Sequence, residues 1–210
     1  MYFIIGDSHT TVFSSSVVVL PPCEVVSYNQ FSCYHVGPLQ AYNVMDRIDL
    51  DPIKNYIISC DSLVFSFGEI DMRNIHKRVV NGDYESKIAE VVARYFAFID
   101  SVEHRGKMVF GVVPCLKEMP FYDWFEDVPE RKSHFYAPSG TLQVRNLYKS
   151  YYNSLLAEAC LKRGLMYFDI FHEVLDREDL YIDDIHLSSP KVMSLIKNKL
   201  GLNEGDYFNI

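Results

Sequence analysis

The sequence predicts an α/β fold in which a parallel β-sheet carries helices on both faces. Short apolar runs, typical of buried parallel strands, alternate along the chain with longer segments of helical periodicity. The chain has 210 residues, of which 49% are hydrophobic and 23% charged, enough for one core of ordinary domain size. We therefore expect a single domain over residues 1–210, built from βαβ crossovers.

Five apolar runs are predicted as the parallel strands of this sheet. They are Tyr2–Ile5, Glu24–Ser27, Leu63–Phe67, Met108–Val113 and Met166–Ile170. Ligands of open α/β sheets bind beyond the carboxyl ends of the strands. The residues that directly follow each run are therefore the first candidates for a functional site.

Three longer segments are predicted as helices. Ser86–Glu103 and Thr141–Arg163 each repeat apolar residues every three or four positions, and each is followed by basic residues and a glycine. The last helix is expected from Pro190 to Leu200, capped by Ser188 or Ser189. In the second segment the predicted core-facing stripe consists of Val144, Leu147, Tyr148, Tyr151, Tyr152, Leu155, Leu156 and Ala159.

One long irregular stretch, Cys115–Gly140, follows the fourth predicted strand. It is rich in aromatic residues, which argues against simple disorder and favours a lid or a substrate-binding loop. Tyr122, Trp124 and Phe125 are its candidate substrate-binding residues. Aromatic rings pack well on flat apolar faces, so a sugar or an acylated glycan suits this loop better than a highly charged partner.

Charge, cysteines and hydropathy limit the partners and the compartment. The net charge of −8 argues against nucleic acid or an anionic membrane as the main partner. The five cysteines are odd in number and lack C-x-x-C spacing, so we expect free buried thiols rather than a disulfide framework or a zinc site. The N-terminus is predicted as a strand, not a signal peptide, and no apolar run is long enough to span a bilayer. We expect a cytoplasmic protein and leave its oligomeric state open.

Two chain segments carry the residue types of nucleophilic catalysis. Ser8 follows the first strand directly, and Asp183 and His186 are separated by two residues near the C-terminus. A serine nucleophile needs a base, and a histidine base needs a carboxylate to orient it. Each residue also has a structural interpretation, since Ser8 fits a helix N-cap and His186 fits an ordinary buried histidine. Asp184 competes with Asp183 as the partner of the histidine.

These segments resemble the sequence blocks of the SGNH (GDSL-type) hydrolases. The matching residues are Gly6-Asp7-Ser8-His9 for the first block, with His in place of the name-giving Leu, Gly37 for the second, Gly68-Glu69-Ile70-Asp71 for the third, and Asp183-x-x-His186 for the fifth. The resemblance implies a three-layer αβα, flavodoxin-like fold with five parallel strands in the order 2-1-3-4-5. It also implies ester hydrolysis or acyl transfer without a metal or an organic cofactor.

Carried over to this sequence, the resemblance makes Ser8 the nucleophile, His186 the general base and Asp183 the residue that orients the base. The backbone N–H groups of Ser8 and Gly37 would contribute to the oxyanion hole. The departure is Ile70, which stands where the family has an asparagine donor. Losing one such donor typically costs about 10²–10³ in rate. Arg73 is the proposed substitute, unless it merely pairs with Glu69 or Asp71.

The leading hypothesis is a serine esterase that cleaves an acyl group, such as acetyl, from a carbohydrate or another small ester substrate. The alternatives are an acyltransferase acting on glycan hydroxyls, and a binding protein with weak or lost catalysis because of Ile70. A nucleotide-binding domain is disfavoured because the sequence lacks G-x-G-x-x-G after the first strand. A glycosidase pair of Glu69 and Asp71 has little support without a second acidic element.

Overall fold

The computed structural model describes residues 1–14, 22–75, 78–79, 82–116, 141–182, 186–187 and 190–202. Within these residues, the strands are β1 (Tyr2–Gly6), β2 (Val25–Tyr28), β3 (Phe31–His35), β4 (Ser62–Ser66), β5 (Lys107–Phe110) and β6 (Met166–Phe168). The α-helices are α1 (Val44–Arg47), α2 (Lys54–Ser59), α3 (Glu69–Asn74), α4 (Tyr84–Ser101), α5 (Leu142–Arg163), α6 (Phe171–Val174) and α7 (Pro190–Lys199). Short 3₁₀-helices cover Ser8–Phe13, Ala41–Asn43, Asp51–Ile53 and Glu178–Leu180.

The described strands form one mixed sheet in the order β2-β3-β1-β4-β5-β6. Every neighbouring pair is parallel except β2 and β3, which are antiparallel. The α/β class is therefore confirmed. The expected five-stranded, wholly parallel sheet of order 2-1-3-4-5 is not confirmed as stated, because the sheet has six strands and an antiparallel edge.

The difference comes from a hairpin near the N-terminus. The predicted parallel strand Glu24–Ser27 is the antiparallel edge strand β2, and Asn29 turns the chain with a φ of 53°. The following strand, Phe31–His35, was not predicted, because serine, cysteine and histidine interrupt its apolar pattern. All five of its residues are nevertheless buried, since β3 lies inside the sheet between β2 and β1.

The core lies on both faces of the sheet. Alternate residues of each central strand point to opposite faces, so Phe3 and Leu63 pack with α1, α2, α4 and α5, whereas Ile4 and Val64 pack with the 8–13 turn, α6 and α7. This gives helices on both sides of the sheet, as expected from strands linked by crossover helices. Among the described residues, we find no helix with the length and apolar character needed to cross a membrane.

The two long helices follow their predicted bounds to within about two residues. In α5, Tyr152 and Leu156 of the predicted stripe are buried, and Tyr148, Tyr151, Leu155 and Ala159 pack against the same core. In α5, Leu147 is 54% exposed, whereas Arg145 and Lys149 are almost fully buried. The helix is thus turned so that two cations face the interior, which a purely apolar stripe does not anticipate. Its other buried residues are Tyr152, Asn153, Leu156 and Cys160.

The cysteines are free thiols, and Cys23 is exposed, contrary to the expectation that all five are buried.

Strand register brings the predicted motifs to one edge of the sheet. Gly6, the last residue of β1, pairs with His35 of β3 on one side and with Ser66 of β4 on the other. A Cβ at position 6 would overlap the carbonyl oxygen of Ser66, so glycine alone fits there. Gly6, His35 and Ser66 are thus level with one another at the carboxyl ends of their strands. Ser8, Gly37 and Gly68 each come two residues later in the chain, so they lie at the same edge of the sheet.

Candidate active site

Ser8 opens a tight helical turn at the carboxyl end of β1. Asp7, not Ser8, caps this turn: its Oδ1 accepts the backbone N–H of His9 at 3.0 Å. The side chain of Ser8 is thus not needed as a cap. It is only partly buried and lies beyond the strand end, where ligands of open α/β sheets bind.

His186 lies on the segment that leads into α7, and it faces Ser8. Its Nε2 is 2.8 Å from Ser8 Oγ, although the two residues are 178 positions apart in the chain. The backbone beside it is held by a hydrogen bond from Ile182 N–H to the carbonyl of His186 at 2.9 Å. The imidazole is 8% exposed, so this contact is largely shielded from water.

The remaining predicted catalytic and substrate-binding residues are two aspartates near His186 and three aromatic residues of the long loop. Asp183 and its competitor Asp184 lie outside the described residues. Tyr122, Trp124 and Phe125 do so as well, together with the loop from residue 117 to 140.

Gly37 lies beside the turn that carries Ser8. The N–H of Val36 donates to the carbonyl of Gly6 at 2.9 Å, which fixes the 36–37 segment against the end of β1. Gly37 has a φ of 78°, a conformation that favours glycine. An open groove of about 300 Å³ adjoins it, lined by Val36, Pro38 and Leu39 together with Cys23, Tyr34, Arg47, Ile48 and Asp49.

Arg73 pairs with Glu69, one helical turn earlier in α3. Its Nε lies 3.2 and 3.1 Å from the two carboxylate oxygens of Glu69, and its Nη2 contacts Oε2. Lys149 of α5 contacts the same carboxylate, with Nζ 3.0 Å from Oε1. Burial alone would raise the pKa of Glu69, but Arg73 and Lys149 outweigh it and hold that pKa well below its usual value. Arg73 therefore does pair with Glu69, which was the alternative to its role as an oxyanion-hole donor.

Asp71 connects α3 to the segment after Gly37. Its carboxylate accepts the backbone N–H of Ala41 at 2.6 Å and that of Tyr42 at 3.2 Å, and Arg78 lies 3.5 Å away. Burial raises the pKa of this carboxyl to about 6, against the lowering effect of Arg78 and the two N–H groups. Since both Glu69 and Asp71 are occupied by such contacts, neither is placed as a free carboxylate for glycoside cleavage.

The sequence interpretation missed two contributors to the site. Lys149 belonged to a helix interpreted from its apolar residues, yet Arg145 and Lys149 are one turn apart and on its buried side. That spacing of two cations within an apolar pattern is the signal that was available. The other contributor is His9, whose ring lies 4.8 Å from the ring of His186, centroid to centroid.

The fold has clear relatives among solved structures, although no protein-family model and no curated protein matches the sequence. An extracellular lipase from Streptomyces rimosus superposes with a TM-score of 0.52 at 12% identity, over 94% of this chain and 98% of the lipase. An acetylxylan esterase from Geobacillus stearothermophilus gives 0.54 at 11% identity, over 96% of this chain and 94% of the esterase. The chain has the fold of the SGNH-type hydrolases.

Within this SGNH fold, the Ser8–His186 contact joins the end of β1 to the segment before α7. At 11–12% identity the likeness establishes the fold, so the chemistry has to be argued from the residues themselves. In the part of the chain that the structure describes, no cluster of three His, Cys, Asp or Glu side chains is arranged to hold a metal ion.

Proposed function

We propose that the protein is a serine ester hydrolase in which Ser8 is the nucleophile and His186 the general base. The contact of 2.8 Å between Ser8 Oγ and His186 Nε2 carries this proposal. It has the separation required for proton transfer from a nucleophile to its base. Because the two residues come from opposite ends of the chain, local sequence does not explain their meeting.

The proposed reaction proceeds through an acyl-enzyme. Ser8 Oγ attacks the ester carbonyl while His186 Nε2 takes its proton, which gives a tetrahedral intermediate. His186 then returns the proton to the leaving alcohol, the C–O bond of the ester breaks, and the acyl group stays on Ser8. Water, deprotonated by His186, attacks the acyl-enzyme. His186 then returns that proton to Ser8 Oγ as the bond between Oγ and the acyl carbon breaks, which releases the carboxylic acid and free Ser8. Asp183 is proposed to orient the imidazole and to stabilise its protonated form.

The proposed oxyanion hole begins with the backbone N–H groups of Ser8 and Gly37. Arg73 is the proposed third donor in place of the asparagine that Ile70 replaces. Since Nε and Nη2 of Arg73 contact Glu69, this role requires the other terminal nitrogen, Nη1. With only two backbone donors, the expected rate is lower by about 10²–10³.

The proposed substrate is an acyl ester, such as an acetyl ester, of a carbohydrate or another small molecule. The groove of about 300 Å³ beside Gly37 has the size of a small-ligand site and combines apolar walls with Arg47 and Asp49. The aromatic composition of residues 115–140 favours a flat, weakly charged group. One structural neighbour is an acetylxylan esterase and another a lipase, so the fold by itself does not choose between substrate classes.

Acyl transfer to a glycan hydroxyl is the alternative use of the same machinery. The aromatic residues of the loop 115–140 favour it, because excluding water from the acyl-enzyme lets another hydroxyl compete for the acyl group. Product analysis with candidate glycan acceptors distinguishes the two: free acid alone indicates hydrolysis, and an acylated acceptor indicates transfer.

Hydrolysis of 4-nitrophenyl acetate tests the proposal. We expect Ser8→Ala to lose at least about 10³ in kcat, because the nucleophile is absent. Ser59→Ala is the matched control, since Ser59 is exposed at the end of α2 and its hydroxyl contacts only local backbone. Equal turnover by Ser8→Ala and the wild type would contradict the proposal, and a Ser8 that never reacts would favour a binding protein.

A further inference from the structure

His9 lies against the face of the proposed base. The two imidazole rings are stacked at 4.8 Å between centroids with an interplanar angle of 29°. Both side chains are buried, with 7% of His9 and 8% of His186 exposed. The ring of His9 therefore covers one face of the His186 ring, the ring whose Nε2 meets Ser8 Oγ.

His9 is itself held from two directions. Its backbone N–H donates to Asp7 Oδ1 at 3.0 Å, which fixes the residue at the start of the turn. At the far end of the side chain, Nε2 lies 3.2 Å from Glu69 Oε2. This contact falls short of hydrogen-bond geometry, so between a neutral imidazole and the carboxylate it is a weak charge–dipole contact.

Glu69 is a rigid anchor for that ring. Its carboxylate is 1% exposed and is contacted by Arg73 from its own helix and by Lys149 from α5. A carboxylate clamped by two buried cations on two helices has little freedom to move. The chain of contacts from Lys149 through Glu69 to His9 thus ends at the face of His186.

The charge of His9 suits this position. Burial lowers the pKa of His9 to about 4, and the nearby Glu69 carboxylate only partly opposes this. The ring is therefore neutral near pH 7. When His186 gains a proton during the reaction, it meets the face of a neutral aromatic ring rather than a second cation.

We propose that His9 is a positioning residue, anchored by Glu69, that holds the imidazole of His186 with its Nε2 toward Ser8 Oγ. This inference rests on the proposed function, since it assigns the stack a role in the activity of His186. A purely structural role for His9 would change stability and leave turnover per folded molecule unchanged. A positioning role changes kcat and leaves KM nearly constant, because His9 orients the base without binding the substrate.

Three substitutions of His9 distinguish the effect of its aromatic ring from the effect of its polar group. His9→Phe keeps a flat ring, His9→Gln keeps a polar group toward Glu69 without a ring, and His9→Ala removes both. His172→Ala is the control, since His172 is exposed on α6 and its ring contacts that of Phe171. The kinetic readouts are kcat and KM on 4-nitrophenyl acetate and the rate at which a fluorophosphonate labels Ser8. The structural readout is the NMR signals of the His186 ring protons in isotope-labelled protein that has not reacted with the fluorophosphonate.

We expect kcat and the labelling rate to fall about 10- to 100-fold in His9→Ala and His9→Gln, with KM within about twofold. His9→Phe keeps the ring that stacks on His186 and loses only the weak contact with Glu69, so it should stay within about threefold of the wild type. If His9→Ala does not fold, the comparison of His9→Phe with His9→Gln decides. The inference is overturned if His9→Gln equals or exceeds His9→Phe, or if a folded His9→Ala keeps wild-type kcat and labelling.

The same experiment separates this inference from the proposed function. A wild type that neither turns over ester nor labels at Ser8 contradicts the proposed function, whatever the stack does. The NMR signals report on the stack without any activity: removal of the His9 ring in His9→Ala should shift the His186 ring protons through the lost ring current. Unchanged His186 signals in that variant would overturn the inference even in an active enzyme.

Discussion

At the scale of a single residue, Asp7 shows how burial and neighbouring charges in the site change the pKa of a carboxyl group. It directly precedes the proposed nucleophile and is 1% exposed. Burial raises the pKa of Asp7 to about 8, and the carboxylates of Glu69 and Asp71 act in the same direction against the His9 N–H and Arg73. The side chain is therefore mainly protonated at neutral pH, and a neutral isostere should replace it well.

Asp7→Asn is predicted to flatten the pH dependence of stability. Between the usual pKa near 4 and the folded value of about 8, the unfolded chain binds fewer protons than the folded one, so wild-type stability falls as pH rises. The variant lacks this titrating group, so its stability relative to the wild type should increase by up to about 1.4 kcal/mol per pH unit in that window. Urea unfolding of both proteins from pH 4 to 8 measures it, and parallel curves would contradict the assignment.

Residues at strand ends could be predicted from the sequence, but contacts between distant elements could not. Ser8, Gly37 and His186 follow from motif order, and the structure brings Ser8 Oγ and His186 Nε2 to within 2.8 Å of each other. Nothing in the sequence indicates that Lys149 meets Glu69, 80 positions away, because this depends on how α5 is turned against α3. The stack of His9 on His186 was missed for the same reason.

At the scale of elements, Gly68 is the junction that places α3 beside the site. It has a φ of 118° and precedes Glu69, the first residue of the helix. A Cβ there would overlap the ring of Tyr152, whose hydroxyl donates to the carbonyl of Phe67 at 3.3 Å. The close approach of α5 to this junction requires glycine.

Gly68→Ala is predicted to destabilise the fold by about 3 kcal/mol or more, because backbone strain and a clash with a buried ring add together. Gly82→Ala is the matched control: Gly82 also has a positive φ, 78°, but a Cβ there meets nothing within 4 Å. It should cost only the strain, about 1–2 kcal/mol. Chemical denaturation of both variants measures the difference, and equal losses would show that the Tyr152 contact is unimportant.

The elements that the sequence predicted best are those with a regular apolar period. Helix α4 was placed correctly because its period is regular and its interior is apolar. Strand β3 was missed because burial inside the sheet, not composition, makes its Ser32 and His35 part of the interior. Most of the stripe predicted for α5 packs against the core, but the burial of Arg145 and Lys149 beside it was not predicted, because charged residues were expected on the solvent side.

At the scale of the whole molecule, stability should decrease from the middle of the sheet to its β2 edge. Strands β1 and β4 pair on both sides, and Ile4 and Val64 have no exposed surface. Among the described strands, β2 pairs with β3 alone, and its Ser27 and Tyr28 are exposed. Local opening of such an edge needs fewer contacts to break than opening of the centre.

Hydrogen exchange is predicted to follow this gradient. Amides of β1 and β4 should exchange only through global unfolding, whereas those of β2 should exchange faster through local opening. Exchange followed by NMR or mass spectrometry at increasing urea concentration distinguishes the two. Equal protection in β2 and β1 would contradict the edge position of β2.

Site-resolved labelling with a fluorophosphonate tests the central claim most directly, because the reagent forms a covalent bond only with an activated serine. Mass spectrometry of the digested protein should locate the adduct on Ser8 in the wild type and in His172→Gln, with labelling of His186→Gln slowed at least about 10²-fold. A wild-type protein that stays unlabelled, or an adduct on another serine, would contradict the assignment of Ser8 and His186 as nucleophile and base.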